Sequence, residues 1–212
     1  ILDGMEKITD PDGKSFFLIP RGTSGEDARK AVLMTYILNA GTDYGDADEN
    51  RDFPDTPYSA NEVQRIIERQ ESNDWSYDNE VGSVDFRGGR LVTTPNGILM
   101  GTGVSIDASD FSLSQRGGNS VTWGDIFLFK NGGSFLSNSL FSTDGSPDAA
   151  QQVRDVVEYG AWARGEYVVD LDRVLHHEER HAQQWADKGY WGYSWDQYWK
   201  GNKSLEEDAG LS

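Results

Sequence analysis

All three histidines of the chain fall within six residues, in the run Leu175-His176-His177-Glu178-Glu179-Arg180-His181-Ala182. His177 and His181 stand four apart, so on a helix they project from one face about a turn from each other, and their ring nitrogens converge on one point. Two imidazoles so placed form a ligand pair for zinc. Glu178 sits beside the first of them and one turn from the second, where its carboxylate can hold a water polarised by the metal and take its proton. His176 points roughly a quarter turn away from His177 and reads as a surface or supporting residue. The chain has no cysteine, which excludes disulfide frameworks, thiolate zinc sites and cysteine nucleophiles.

Such a pair needs a helix buried along the face that holds the metal. Val174, His177, His181 and Trp185 follow one stripe at spacings of three and four, flanked by Leu175 and Ala182, and Gly189 ends the pattern. The reading is a helix over residues 171–188 at the floor of a cleft. Upstream, the spacing of Ala31, Val32, Tyr36 and Ile37 predicts a helix over residues 28–39. Ser59-Ala60-Asn61-Glu62 is a capping box that opens another, roughly residues 60–71. From Gly82 to Gly133, glycines alternate with short apolar runs such as Leu91-Val92, Ile98-Leu99-Met100 and Ile126 to Phe129. This predicts strands, with Pro95-Asn96-Gly97 as a hairpin turn. Ser146-Pro147-Asp148 opens a helix carrying Val153, Val156 and Val157, and helices are expected from there to the end. The order predicts an α+β fold in one domain over residues 1–212: a helical, acidic part over about 1–80, a β-rich part over 81–141, and a helical part with the metal motif over 146–212.

The segment His177-Glu178-Glu179-Arg180-His181 resembles the HExxH signature of zincin metallopeptidases. The chain beyond His181 is similar to the gluzincin variant, in which a glutamate on a later helix is the third ligand; the metzincin continuation is missing, because residues 182–192 hold no histidine. The resemblance spans about residues 170–211 and implies zinc held by His177, His181 and Glu206, with Ala209 as the small residue three further on. Glu207 followed by Gly210 is the competing register, and Asp208 the third acidic residue of that run. Glu178 would be the general base of peptide hydrolysis. The aspartate that some gluzincins place four residues after the third ligand falls here on Gly210, so Asp170, Asp172 or Asp208 would have to orient a histidine. No histidine is left to stabilise an oxyanion; Tyr190, Tyr193 and Tyr198 are the candidates, against a plain role in aromatic packing.

The composition narrows the field further. With 36% hydrophobic and 12% aromatic residues, the chain can build a real core, which argues against global disorder. Its 36 acidic and 19 basic residues leave a net charge of −17, a field that repels phosphate backbones and anionic headgroups, so neither nucleic acid nor membrane insertion is expected. The expected partner is a peptide or protein substrate. The chain starts at Ile1 and ends soon after Glu206, which suggests a catalytic domain of a longer chain, such as the C-terminal part of a secreted bacterial effector, and a secreted or extracellular location. Two other functions compete: a non-catalytic zinc-binding structural or interaction module, and a calcium-dependent extracellular binding domain built on Asp43, Asp46, Asp48 and Asp52. An EF-hand is ruled out there, because Arg51 and Pro57 stand where that loop needs Gly and Glu.

Overall fold

A computed structural model describes residues 1–40, 42, 59–102, 120–129, 148–164, 167–199 and 206. The elements run in the order β1 (Glu6–Thr9), β2 (Ser15–Leu18), α1 (Gly25–Leu38), α2 (Ala60–Ser72), α3 (Asp74–Phe86), β3 (Arg90–Thr93), β4 (Leu99–Thr102), β5 (Ser120–Trp123), β6 (Ile126–Phe129), α4 (Ala149–Tyr159), β7 (Ala161–Arg164), β8 (Tyr167–Asp170) and α5 (Leu171–Trp199). The fold is α+β. Six strands form one sheet in the order β1-β2-β3-β4-β6-β5, antiparallel throughout except for the parallel pair β4–β6, while β7 and β8 make a separate hairpin.

Continuous apolar runs, such as Ile126-Phe127-Leu128-Phe129, are buried along their whole length because both faces of the sheet are covered. Alternate side chains divide the core in two. Val92, Met100, Phe127 and Phe129 join Val153, Val156 and Val157 of α4 and Leu171, Val174 and Leu175 of α5 on one face. Leu91, Leu99, Ile126 and Leu128 meet Ala28 and Val32 of α1 and Tyr77, Val81 and Val84 of α3 on the other. The sheet is therefore the middle layer, and the helix with the histidines lies against its strand-order end beside β5.

Side-chain caps account for the starts of three helices. Ser24 accepts from Asp27 N to cap α1, and Ser59 from Glu62 N to cap α2. Asp148, extended at φ −63° and ψ 124°, caps α4 by accepting from Ala150 N. That helix thus begins at Ala149, after the cap, rather than at Pro147 as the sequence suggested. The expected β3–β4 hairpin is present, with Thr94 N donating to Ile98 O and Gly97 at φ +80°. Its turn is not a surface feature, because Asn96 is 1% exposed and donates through Nδ2 to Leu175 O of α5.

Three expectations are corrected. The first part of the chain is not only helical: β1 and β2 supply two strands of the main sheet. Residues 74–86 form the helix α3, which runs into the stretch read as strands and turns. The C-terminal part is not all helix, since β7 and β8 pair across Ala161↔Asp170 to Arg164↔Tyr167. Among the described residues, no helix is long and apolar enough to cross a membrane. The acidic loop with Asp43, Asp46, Asp48 and Asp52 lies outside the described residues.

Candidate metal centre

Helix α5 carries the histidines into the interior. Residues 174–179, 181, 182, 184 and 185 are all buried or nearly so, and Arg180 breaks the run as an exposed residue. The helix is therefore enclosed on nearly every side rather than along one stripe. His176 is 4% exposed and so belongs to the interior; burial pushes its imidazole pKa below the ordinary value. The helix breaks at Gly189, whose φ of 66° and ψ of 167° are glycine's territory, and continues to Trp199.

His177 Nε2 and His181 Nε2 are 3.0 Å apart, and Glu206 Oε2 lies 3.2 Å from the first and 3.6 Å from the second. Four ligands at about 2.0–2.1 Å around a tetrahedral zinc stand about 3.4 Å from one another. The three observed separations bracket that value, so this donor set has the size and chemistry of one face of a zinc tetrahedron. His181 Nδ1 faces Gln184 Oε1 at 3.0 Å, so Nδ1 donates there and Nε2 is the ring nitrogen turned to the triangle. The hydrogen bonds from His177 and then His181 hold the Glu206 carboxyl well below the usual carboxylate range. Burial works against a charged His181, but Glu206 and the Glu178 charge outweigh it and raise its pKa.

Glu178 is 6% exposed and groups with the two histidines, their donor atoms all lying within 4.8 Å of one another. Burial raises its carboxyl pKa. The Thr122 hydroxyl of β5 donates to Glu178 Oε2, and Trp185 Nε1 donates back to Thr122 O at 3.0 Å. Glu179, read from the sequence only as a spacer of the motif, is held on the other side of the helix. Arg65 and Arg69 of α2 both reach its Oε1, Arg69 at 3.0 Å. Arg69, itself 1% exposed, also lies 3.3 Å from Asp125 Oδ1 and donates to Gly97 O, while Asn73 Nδ2 donates to Asp125 and to Ala182 O. Burial would raise the Glu179 pKa, but the charges of Arg69 and Arg65 outweigh it and hold the group below its ordinary value.

The structure thus brings His177, Glu178, His181 and Glu206 to one place; Glu207 and Asp208 lie outside the described residues. Asp170 and Asp172, expected as orienting residues, make other contacts. Asp170 accepts from Arg173 N, and Asp172 pairs with the buried Lys14. Gln184 fills that role instead, and its position three residues after His181 is a signal the sequence contained. Tyr193 stacks on Trp185 with centroids 3.9 Å apart, and its hydroxyl is 3.5 Å from His181 Nδ1, on the ring edge away from the triangle. Tyr190 joins Trp75, Trp123 and Trp185 in an aromatic cluster. Tyr193 and Tyr190 therefore pack rather than face the donors, and the Tyr198 side chain lies outside the described residues. Comparison with protein-family models, curated proteins and solved structures finds no match to this chain.

Proposed function

We propose that the chain is a zinc-dependent metallopeptidase that hydrolyses peptide bonds, with His177, His181 and Glu206 as the ligands and Glu178 as general base. The observation that carries this reading is the triangle of two imidazole nitrogens and one carboxylate oxygen, 3.0, 3.2 and 3.6 Å on its sides, with a further buried carboxylate beside it. Zinc bound there supplies Lewis acidity, polarising the scissile carbonyl and bringing the pKa of a water toward neutrality. Gln184 accepts from His181 Nδ1, which makes Nε2 the nitrogen that would bind zinc on giving up its proton. Glu178 takes the proton of the attacking water and returns it to the amide nitrogen as the C–N bond breaks; a carboxyl whose pKa is raised by burial suits both halves of that transfer. A peptide or protein is the substrate, and a secreted or extracellular location belongs to the same proposal.

A second reading is favoured by one observation: Glu178 is as deeply buried as the histidines, at 6% against 5% and 7%. Closed sites are the mark of structural zinc. In that reading Glu178 is a fourth ligand and nothing is hydrolysed. The Glu178→Gln variant separates the two. For a peptidase, it keeps stoichiometric zinc by elemental analysis and loses cleavage of a peptide library by about a hundred- to ten-thousand-fold. For a structural site, it loses zinc, and the parent cleaves nothing.

A further inference from the structure

Thr122 is the residue on β5 whose two polar ends are both engaged by the metal-bearing helix. Its hydroxyl donates to Glu178 Oε2, and its carbonyl accepts from Trp185 Nε1 at 3.0 Å. Residues 178 and 185 are seven apart, two turns along one face of α5, so the strand is docked on that face at two points through one residue. The register with β6, Thr122↔Phe127, sets the backbone from the other side. Thr122 is 5% exposed, and its branched Cβ restricts χ1, so the hydroxyl has little freedom to turn elsewhere.

A carboxylate that must serve as base needs one oxygen free for the water and a torsion that does not wander. Glutamate has three rotatable side-chain bonds, and its terminal torsion is broad. Proximity to His177 and His181 groups Glu178 with the histidines but does not choose between its oxygens. A hydroxyl that can donate only along one direction does choose, because it takes Oε2 and leaves Oε1 for the reacting water. We propose that Thr122 is the positioning residue of the general base, fixing the Glu178 carboxylate through a single hydroxyl supplied by an edge of the main sheet. This rests on the peptidase reading above, and extends it from the metal helix to β5.

The test uses the zinc-loaded chain with Thr122→Val, which keeps the shape and removes the donor, and Thr122→Ser, which keeps the donor and removes the methyl. Thr122→Val should lower kcat about 10- to 100-fold, with KM and zinc content at parental values, and Thr122→Ser should stay within about threefold of the parent. Crystals give a readout independent of turnover: the Glu178 carboxylate should rotate or disorder in Thr122→Val and stay within about 3 Å of the hydroxyl in Thr122→Ser. Parental kcat in Thr122→Val, equal losses in both variants, or loss of zinc or fold in Thr122→Val alone would each overturn the inference. So would an unmoved carboxylate in Thr122→Val, even if the parent cleaves no peptide. A parent that cleaves nothing, or a Glu178→Gln variant as active as the parent, instead sinks the peptidase reading, so the two failures are distinguishable.

Discussion

Arg69 should be the most costly single side chain to remove outside the apolar core. Its guanidinium is buried and meets three acceptors from three different elements: Glu179 Oε1 of α5 at 3.0 Å, Asp125 Oδ1 of the β5–β6 turn at 3.3 Å, and the Gly97 carbonyl of the β3–β4 turn. Arg69→Met keeps the unbranched shape but leaves Asp125 to its hydrogen bonds from Asn73 and Tyr77, and deprives Glu179 of one of its two guanidiniums. Breaking a buried pair by removing one partner costs about 3–5 kcal/mol, because a desolvated charge stays behind. With a urea slope of about 2–3 kcal/mol per molar for a chain of this size, the midpoint should fall by about 1.5 M. Asp125→Asn removes the opposite charge, so the double variant should fall short of the summed losses by about 1–3 kcal/mol. Unfolding followed by circular dichroism at several urea concentrations measures all three. A midpoint shift for Arg69→Met below about 0.3 M, or strict additivity in the double variant, would refute the view that this guanidinium ties the layers around the site.

Three further outcomes are expected. Gln184→Leu should leave the fold intact but weaken zinc affinity about 10- to 100-fold in a competitive chelator titration, because His181 loses the acceptor that sets its tautomer; unchanged affinity would remove Gln184 from the site. Gly189→Ala should cost about 1–3 kcal/mol in thermal or urea unfolding although nothing lies within 4 Å of the added methyl, since the penalty comes from φ 66° and ψ 167° and not from a clash; a neutral result would mean that the kink relaxes freely. Glu6 is paired with Arg154 at 2.6 and 2.9 Å, and that pairing holds its carboxyl below the ordinary 4.5. A depressed folded pKa contributes stability that is present above 4.5 and is lost as pH falls through the folded value, so the parent's advantage over Glu6→Gln should vanish on acidification and shrink in high salt. An advantage that grew toward acid pH would contradict the pairing.

The parts of the fold that could be read from the sequence are those where one residue type has one physical use. Ser59 and Glu62 mark a helix start because the serine oxygen can satisfy a free N–H, and α2 starts there. The run Ile126 to Phe129 reads as a strand because it is short and wholly apolar, and β6 is that strand. The hairpin turn at Asn96-Gly97 was equally legible, though not its burial under α5, which is a matter of tertiary packing. The misreadings share a cause. The Asp12-Gly13 turn between β1 and β2, and the short hairpin of β7 and β8, have few residues per strand, too few for a period to show. In α3, Tyr77, Val81 and Val84 do follow a helical stripe, but its last turns, from Gly82 on, fall in the glycine-rich stretch that reads as strands and turns.

The site divides along the same line. The convergence of His177 and His181 was legible because their spacing is fixed within a single helix, whereas the acidic run Glu206-Glu207-Asp208 left its register open; of those three, Glu206 is the one among the described residues, 3.2 and 3.6 Å from the two histidines. Thr122, Arg69 and Asn73 were not legible, because their part depends on which elements pack together, and each looks ordinary in its own segment. Thr122 sits in an alternating strand, and Arg69 on an amphipathic helix whose charged residues normally face water. Their convergence is a consequence of the enclosure of α5. A helix that turns His177 and His181 inward also buries Glu178 and Glu179 on neighbouring faces, and a buried carboxylate requires a donor or a cation within reach. β5 meets that need for Glu178 with a neutral hydroxyl, while α2 meets it for Glu179 with two guanidiniums. The difference in donors separates their electrostatics, since Glu179 is held below the ordinary pKa and Glu178 above it. Two adjacent glutamates of one helix thereby sit in different surroundings: Glu179 is paired with two guanidiniums of α2, and Glu178 meets a single hydroxyl beside the two histidines.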